Sequence, residues 1–203
     1  MLTLESVRRV RTGALRLWVA VFLCAGILGG CASGPTTSFV NENVSFGYIQ
    51  KIAVLPFENH TQEGFAGERI RDIVTTEVLS RGLFEVAEKG DLERFLREEM
   101  VVREHYSLDQ ATAKRLVPRL NAQAYLAGAV DDFKEMRNGS YSYPIVAVTL
   151  RLVDSESGKI IWQASGHESG YSTTGRLLGL AGDDANQVTF SLVKRLLNTL
   201  AGE

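Results

Sequence analysis

The chain has 203 residues, with 22 basic and 24 acidic side chains and two cysteines, Cys24 and Cys31. A nearly balanced charge with no basic stripe argues against a nucleic-acid partner, and two cysteines cannot build a disulfide framework or a four-cysteine metal site. After residue 30, the roughly 160 residues that could be ordered amount to one domain.

The first element in chain order is a targeting segment. Arg8, Arg9, Arg11 and Arg16 form a positive leader, and LWVAVFLCAGIL from Leu17 to Leu28 is an uncharged apolar core. A membrane-spanning helix needs roughly 20 apolar residues, so this core is short for an anchor. Leu28, Gly29, Gly30 and Cys31 follow, in the pattern of a lipobox. The expectation is a signal peptide over residues 1–30, cleavage before Cys31, and lipid attached to that cysteine. The Arg8-Arg9 pair is followed by VRTG and is a weak twin-arginine signal. Without the leader's four arginines and Glu5, 18 basic and 23 acidic residues remain, a net charge of −5. Cys24 leaves with the leader and Cys31 is acylated, so an exported body without disulfides must be held by its core.

Residues 31–48 are expected to be a flexible tether, because ASGPTTSFVNENVSFGY is rich in Ser, Thr, Asn, Gly and Pro. Order is expected from Ile49. KIAVLPF, 51–57, reads as a buried strand ending at Pro56. Phe65, Ile70, Ile73, Val74 and Val78 recur at helical steps, predicting an amphipathic helix over 65–80 closed by Gly82. LFEV, 83–86, is a short strand. Asp91 opens a helix with Leu92, Phe95 and Leu96 on one face, and Ser107 with Gln110 resembles a capping box for another, which Pro118 should kink or end. Three strands follow at 124–133, 143–153 and 159–167, with Asn138-Gly139 and residues 155–158 as hairpin turns. After a glycine-spotted loop from 170 to 182, Val188, Leu192, Val193, Leu196 and Leu200 line one face of a last helix over 183–200. The order βαβααβββα predicts a single α/β (α+β) domain over 49–203, a mixed sheet with helices packed on it.

No catalytic constellation is found in the sequence. His60, His105 and His167 lie in separate segments without zinc-site spacing. Ser169 in GHESG is out of register for a nucleophile elbow. Gly64, Gly67, Gly175, Gly179 and Gly182 do not make a phosphate loop. Glu98-Glu99, Asp131-Asp132 and Asp183-Asp184 read as solvated pairs, the last suited to a helix N-terminus. No metal or cofactor is expected. Leu177, Leu178 and Leu180 are apolar residues in a loop, candidate membrane or oligomer contacts, with the alternative that they fold back to cover the sheet edge. Trp162 reads first as a sheet core residue, with a membrane or oligomer contact as the alternative.

KIAVLPFENHT, SRGLFEVAEKGDLERFL, AQAYLAGAVDDF and VTLRLVDSESGKIIWQASG resemble the curli-secretion lipoprotein family and its relatives. Those relatives include the lipoprotein of Pel polysaccharide export and the lipoprotein activators of penicillin-binding proteins. The resemblance runs from about Ile49 to Leu200. It implies a non-enzymatic envelope accessory protein, and several such proteins form rings on the periplasmic face of the outer membrane. This chain lacks the long membrane-spanning hairpins of the curli pore, so it is similar to the small members, whose apolar loop before the last helix could face the membrane. Ala32 after the lipidated cysteine favours the outer membrane by the sorting rule of enteric bacteria. The expected partners are therefore the outer membrane through Cys31, further copies of the chain, and an export or assembly machine for an envelope polymer. A second reading is a monomer that reaches through peptidoglycan to stimulate a synthase; an envelope enzyme is disfavoured.

Overall fold

The computed structural model describes residues 35–100, 108–139, 141–172 and 182–201. Two units divide the chain between residues 33 and 34, and all the described residues belong to the second. Its sheet has seven strands: β1 (Thr36–Val40), β2 (Lys51–Val54), β3 (Glu58–Asn59), β4 (Glu85–Val86), β5 (Ala124–Asn138), β6 (Tyr141–Asp154) and β7 (Ile160–Ser169). They lie in the order β1-β7-β6-β5-β2-β4, with β3 on β5. β2 runs parallel to β4 and β5, and β3 runs parallel to β5, while the β5–β6, β6–β7 and β1–β7 pairs are antiparallel. The helices are α1 (Ala66–Ser80), α2 (Lys89–Glu98), α3 (Gln110–Lys114), α4 (Leu116–Leu120) and α5 (Ala185–Ala201). The predicted mixed sheet with helices packed on it is therefore what the chain forms.

Alternation in β2 and β5 divides the core into two layers. Ile52, Val54, Ala124 and Leu126 join α1 and α5 on one face, with Ile70, Val74, Leu192 and Leu196 among the buried helix residues. Ala53, Leu55, Tyr125 and Ala127 point the other way, to Leu92, Phe95 and Leu116 of α2 and α4. A strand covered on both faces reads as an unbroken apolar run, as KIAVLPF does. Pro56 has no N–H to give to the ladder. Pairing with β5 accordingly lapses after Leu55, which donates to Leu126 O at 2.9 Å, and resumes as β3.

Among the described residues, the helices on the second face cover the β4, β2 and β5 side. Beyond Val153, the β6–β7–β1 part of that face carries no described helix, and a polar ladder occupies it. Thr149 Oγ1 donates to Asp131 Oδ2 at 2.8 Å and meets Ser165 Oγ at 2.8 Å. His60 stands between Glu58 and Asp131, at 3.5 and 3.3 Å, and Arg151 lies 3.7 Å from Glu58.

Several boundaries differ from the sequence reading. The expected tether is largely structured: Thr36–Val40 is a strand on β7, and Phe46–Tyr48 is a turn of 3-10 helix. TTSFV carries no burial pattern that marks a strand, because four of the five β1 side chains are exposed. Ser107 lies outside the described residues, and the cap of α3 is Asp109, which accepts from Thr112 N at 2.9 Å. The break expected from Pro118 falls one turn earlier, at Arg115, and Pro118 sits in the first turn of α4. A proline ring clashes with the carbonyl four residues back, here Lys114, so the kink belongs there. Asn121, with φ 55°, ends α4 in the left-handed conformation.

Candidate functional site

Cys31 and the lipobox residues Leu28, Gly29 and Gly30 lie outside the described residues, as do Leu177, Leu178, Leu180 and His105. Of the two readings of Trp162, the structure takes the sheet core and not the contact. The side chain is fully buried, its indole Nε1 donates to Thr199 Oγ1 of α5 at 3.0 Å, and it has no face to offer a membrane or a second copy. His60 and His167 are exposed. Ser169 Oγ accepts from Tyr171 N at 3.2 Å in the turn leaving β7. Among the described residues no group of three His, Cys, Asp or Glu side chains could hold a metal, and no helix is long and apolar enough to cross a membrane.

The quoted motifs are explained by packing and turns. In AVLPF-x-N the Phe57 ring covers Gly128, where an added Cβ would stand 2.8 Å from it. Asn59 closes the next loop, accepting from Thr61 N at 3.0 Å and donating to Glu63 O at 2.7 Å. In RLVD-x-x-x-G-K-I-x-W, Asp154 Oδ1 accepts from Ser157 N at 2.7 Å, Gly158 takes φ +68°, and Trp162 fills the core. Burial alone would raise the Asp154 pKa; hydrogen bonds from Ser157 and Tyr48 outweigh it and hold the carboxyl below its ordinary value.

What the tertiary structure assembles, and no spacing rule announces, is the attachment of the N-terminal segment. Arg195 of α5 donates from Nε to Thr36 Oγ1 at 2.8 Å and from Nη2 to His167 O at 3.0 Å, and its Nη1 pairs with Glu168. Glu168 is buried, so its pairing is what makes its charge tolerable there. Beyond β1, Val44 and Phe46 pack against the core, and Tyr48 donates to Asp154 Oδ2 at 2.7 Å. Residues 159 apart in the chain give a sequence reader no signal of such a contact.

One end of the sheet gathers apolar and aromatic groups. β1 is antiparallel to β7 with Thr36 opposite Gly166, so β1 begins toward the C-terminal end of β7. There Tyr141, Tyr143 and Tyr171 pack together, with ring centroids 6.2, 6.0 and 5.1 Å apart. The Tyr141 hydroxyl is buried with no partner among the described residues, and a Cβ at Gly182 would lie 2.3 Å from it. Tyr171 and Gly182, described residues on either side of 173–181, both touch this cluster. Beside it a groove of about 250 Å³ runs between Phe133, Pro144 and Ile145 and the start of α5 at Ala185. Met136 on the hairpin is 38% exposed, and Phe65 before α1 is 76% exposed.

A second cleft, of about 210 Å³, opens at the ends of β2 and β4. Buried Arg71 closes its floor by donating twice to Val54 O, at 3.1 and 2.9 Å. Lys89 at its mouth bonds Glu68 at 2.9 Å, which raises the lysine pKa and lowers that of the glutamate. Asp72 and Glu88 offset the two cations lining the cleft, so it selects no sign of charge.

The described residues thus define a single α/β domain that presents surfaces around an anchored N-terminal strand. The chain belongs to the peptidoglycan-synthase activator LpoB family, whose model matches residues 31–167. No curated protein matches it in sequence. Among solved structures it is similar to the PelC dodecamer from Paraburkholderia phytofirmans, at 23% identity and a TM-score of 0.56, covering 82% of this chain and 96% of that one. It is also similar to lipoprotein GNA1162 from Neisseria meningitidis, at 20% identity and a TM-score of 0.50, covering 76% and 99%. At such identities the likeness is one of fold. The matches support the small envelope lipoproteins within the resemblance and do not extend to the curli-secretion family itself.

Proposed function

We propose that this protein is an outer-membrane lipoprotein, anchored through Cys31 on the periplasmic face, that serves as an accessory to assembly or export of an envelope polymer. It acts by oligomerising and binding, without chemistry of its own. The observation that carries this reading is the shortness of the free N-terminal segment. With β1 in place, only five Cα steps separate Cys31 from Thr36, a span of about 17 Å at most. A body so tethered works beside the membrane. The sheet end with Phe65, Met136 and the tyrosines is the end at which β1 begins, and Tyr171 and Gly182, which flank the segment containing Leu177, Leu178 and Leu180, lie there. Amphipathic tyrosines suit a membrane–water interface. That a protein of this fold was solved as a dodecamer supports self-assembly.

Mass spectrometry of the membrane-extracted protein tests the anchor, and native mass spectrometry in detergent tests assembly. An acylated Cys31 and a defined oligomer are expected; a clean monomer at high concentration, with the lipid present, would sink the assembly reading.

The family match favours a second reading, activation of a peptidoglycan synthase. Cross-linking in membranes separates the two, because a penicillin-binding protein and an export machine are different catches.

A further inference from the structure

We propose that β1 is a releasable strap that sets how far the body can stand from its membrane, an inference that rests on the lipid-anchor reading above. Three observations carry it. Among the described residues the strand is paired on one side, with β7, over the pairs from Thr36–Gly166 to Val40–Trp162. Four of its five side chains are exposed, Phe39 at 53% and Val40 at 38%, so the ladder has little side-chain burial to support it. Arg195, which grips Thr36, keeps Glu168 and the His167 carbonyl when β1 leaves, so release strands no buried charge.

Asn41 extends the ladder by donating to Ile161 O at 2.9 Å, and the next attachment lies beyond the turn that follows. Asn41 accepts from Asn43 N at 3.1 Å in a local turn, then Val44 and Phe46 join the core and Tyr48 bonds Asp154. Peeling thus stops near Val44. Thirteen Cα steps then separate Cys31 from the body, and the reach rises from about 17 to about 45 Å. One chain would have a docked form confined to the membrane surface and an extended form able to meet a partner farther away, and Thr36–Arg195 would bias the choice between them.

Amide hydrogen exchange on the full lipidated protein in vesicles provides the first test, and energy transfer from a label on the body to headgroup-labelled lipid provides the second. Residues 37–40 should exchange at least about 100-fold faster than the centre of β6, by local opening. A disulfide between Ser38→Cys and Ala164→Cys, which face each other across the ladder, should slow β1 to the rate of its neighbours and shorten the mean body-to-lipid distance. Thr36→Val, which keeps shape but removes the acceptor for Arg195, should lengthen it. Exchange of β1 as slow as that of β6 would overturn the strap, and so would equal distances in the cross-linked and Thr36→Val proteins. A mass spectrum without acyl chains on Cys31 would overturn the anchor, and the reach argument with it, whatever β1 exchange shows.

Discussion

Tyr48 and Asp154 are joined by a 2.7 Å hydrogen bond across 106 residues, and this bond closes the N-terminal segment onto the β6–β7 turn. Burial, together with the Asp154 carboxylate, pushes the Tyr48 hydroxyl up to about 12. A raised tyrosine contributes stability that is present below pH 10 and is lost as pH rises from 10 toward 12. Asp154, held below the ordinary carboxylate value, contributes stability that is present above about pH 4 and is lost as pH falls below it. Tyr48→Phe should destabilise by about 0.5–1 kcal/mol at neutral pH, less at pH 3. Asp154→Asn should cost more, about 1–3 kcal/mol, because Ser157 also loses its carboxylate. Urea midpoints at pH 7 and pH 3 measure both.

Gly128 and Phe57 make a second relationship that mutation can reverse. A methyl group at 128 meets the ring at 2.8 Å with little room to move. Gly128→Ala should cost about 1–3 kcal/mol. Adding Phe57→Leu should recover part of that loss, a coupling that a double-mutant cycle on thermal unfolding would read. Strict additivity would show that the contact does not carry the loss.

Trp162 is the sole tryptophan beyond residue 31. Its fluorescence should be blue-shifted in the native protein and move red on unfolding, since the ring is wholly buried. Trp162→Phe should cost about 2–3 kcal/mol, from a smaller ring and the loss of the bond to Thr199. A loss of that size with unchanged oligomeric state would agree with a core residue.

Replacing Leu177, Leu178 and Leu180 together with serine should leave thermal stability nearly unchanged while weakening vesicle binding or assembly. Flotation and native mass spectrometry give the two readouts. If both match the parent protein, these leucines do not make the contact.

Parts of the fold were legible because burial leaves a period in the residues. The α1 stripe of Ile70, Ile73, Val74 and Val78, and that of α5 through Val188, Leu192 and Leu196, locate two helices within one or two residues. Strong alternation locates β6, and Asn138-Gly139 locates its turn, where Gly139 takes φ +67°. Opaque regions share one property, that their order comes from partners elsewhere. β1 exposes nearly all its side chains, and only β7 makes it a strand. β4, by contrast, was legible in LFEV, and only the extent of its pairing, Glu85 and Val86 against Lys51 and Ile52, was left to the sheet edge.

The site divides the same way. Sequence alone supplied the expectations about class: an apolar stretch after four arginines, a cysteine in the pattern of a lipobox, and an acidic body beyond it. Those patterns are local, written in consecutive residues. Tertiary structure decided where that body begins. It turned most of the expected tether into a strand and a docked turn, and it buried Trp162, which the sequence left open as a contact. It also joined Thr36 to Arg195 and Tyr48 to Asp154. Each of those outcomes depends on free energy gained between residues far apart in the chain, and no local pattern records such a gain.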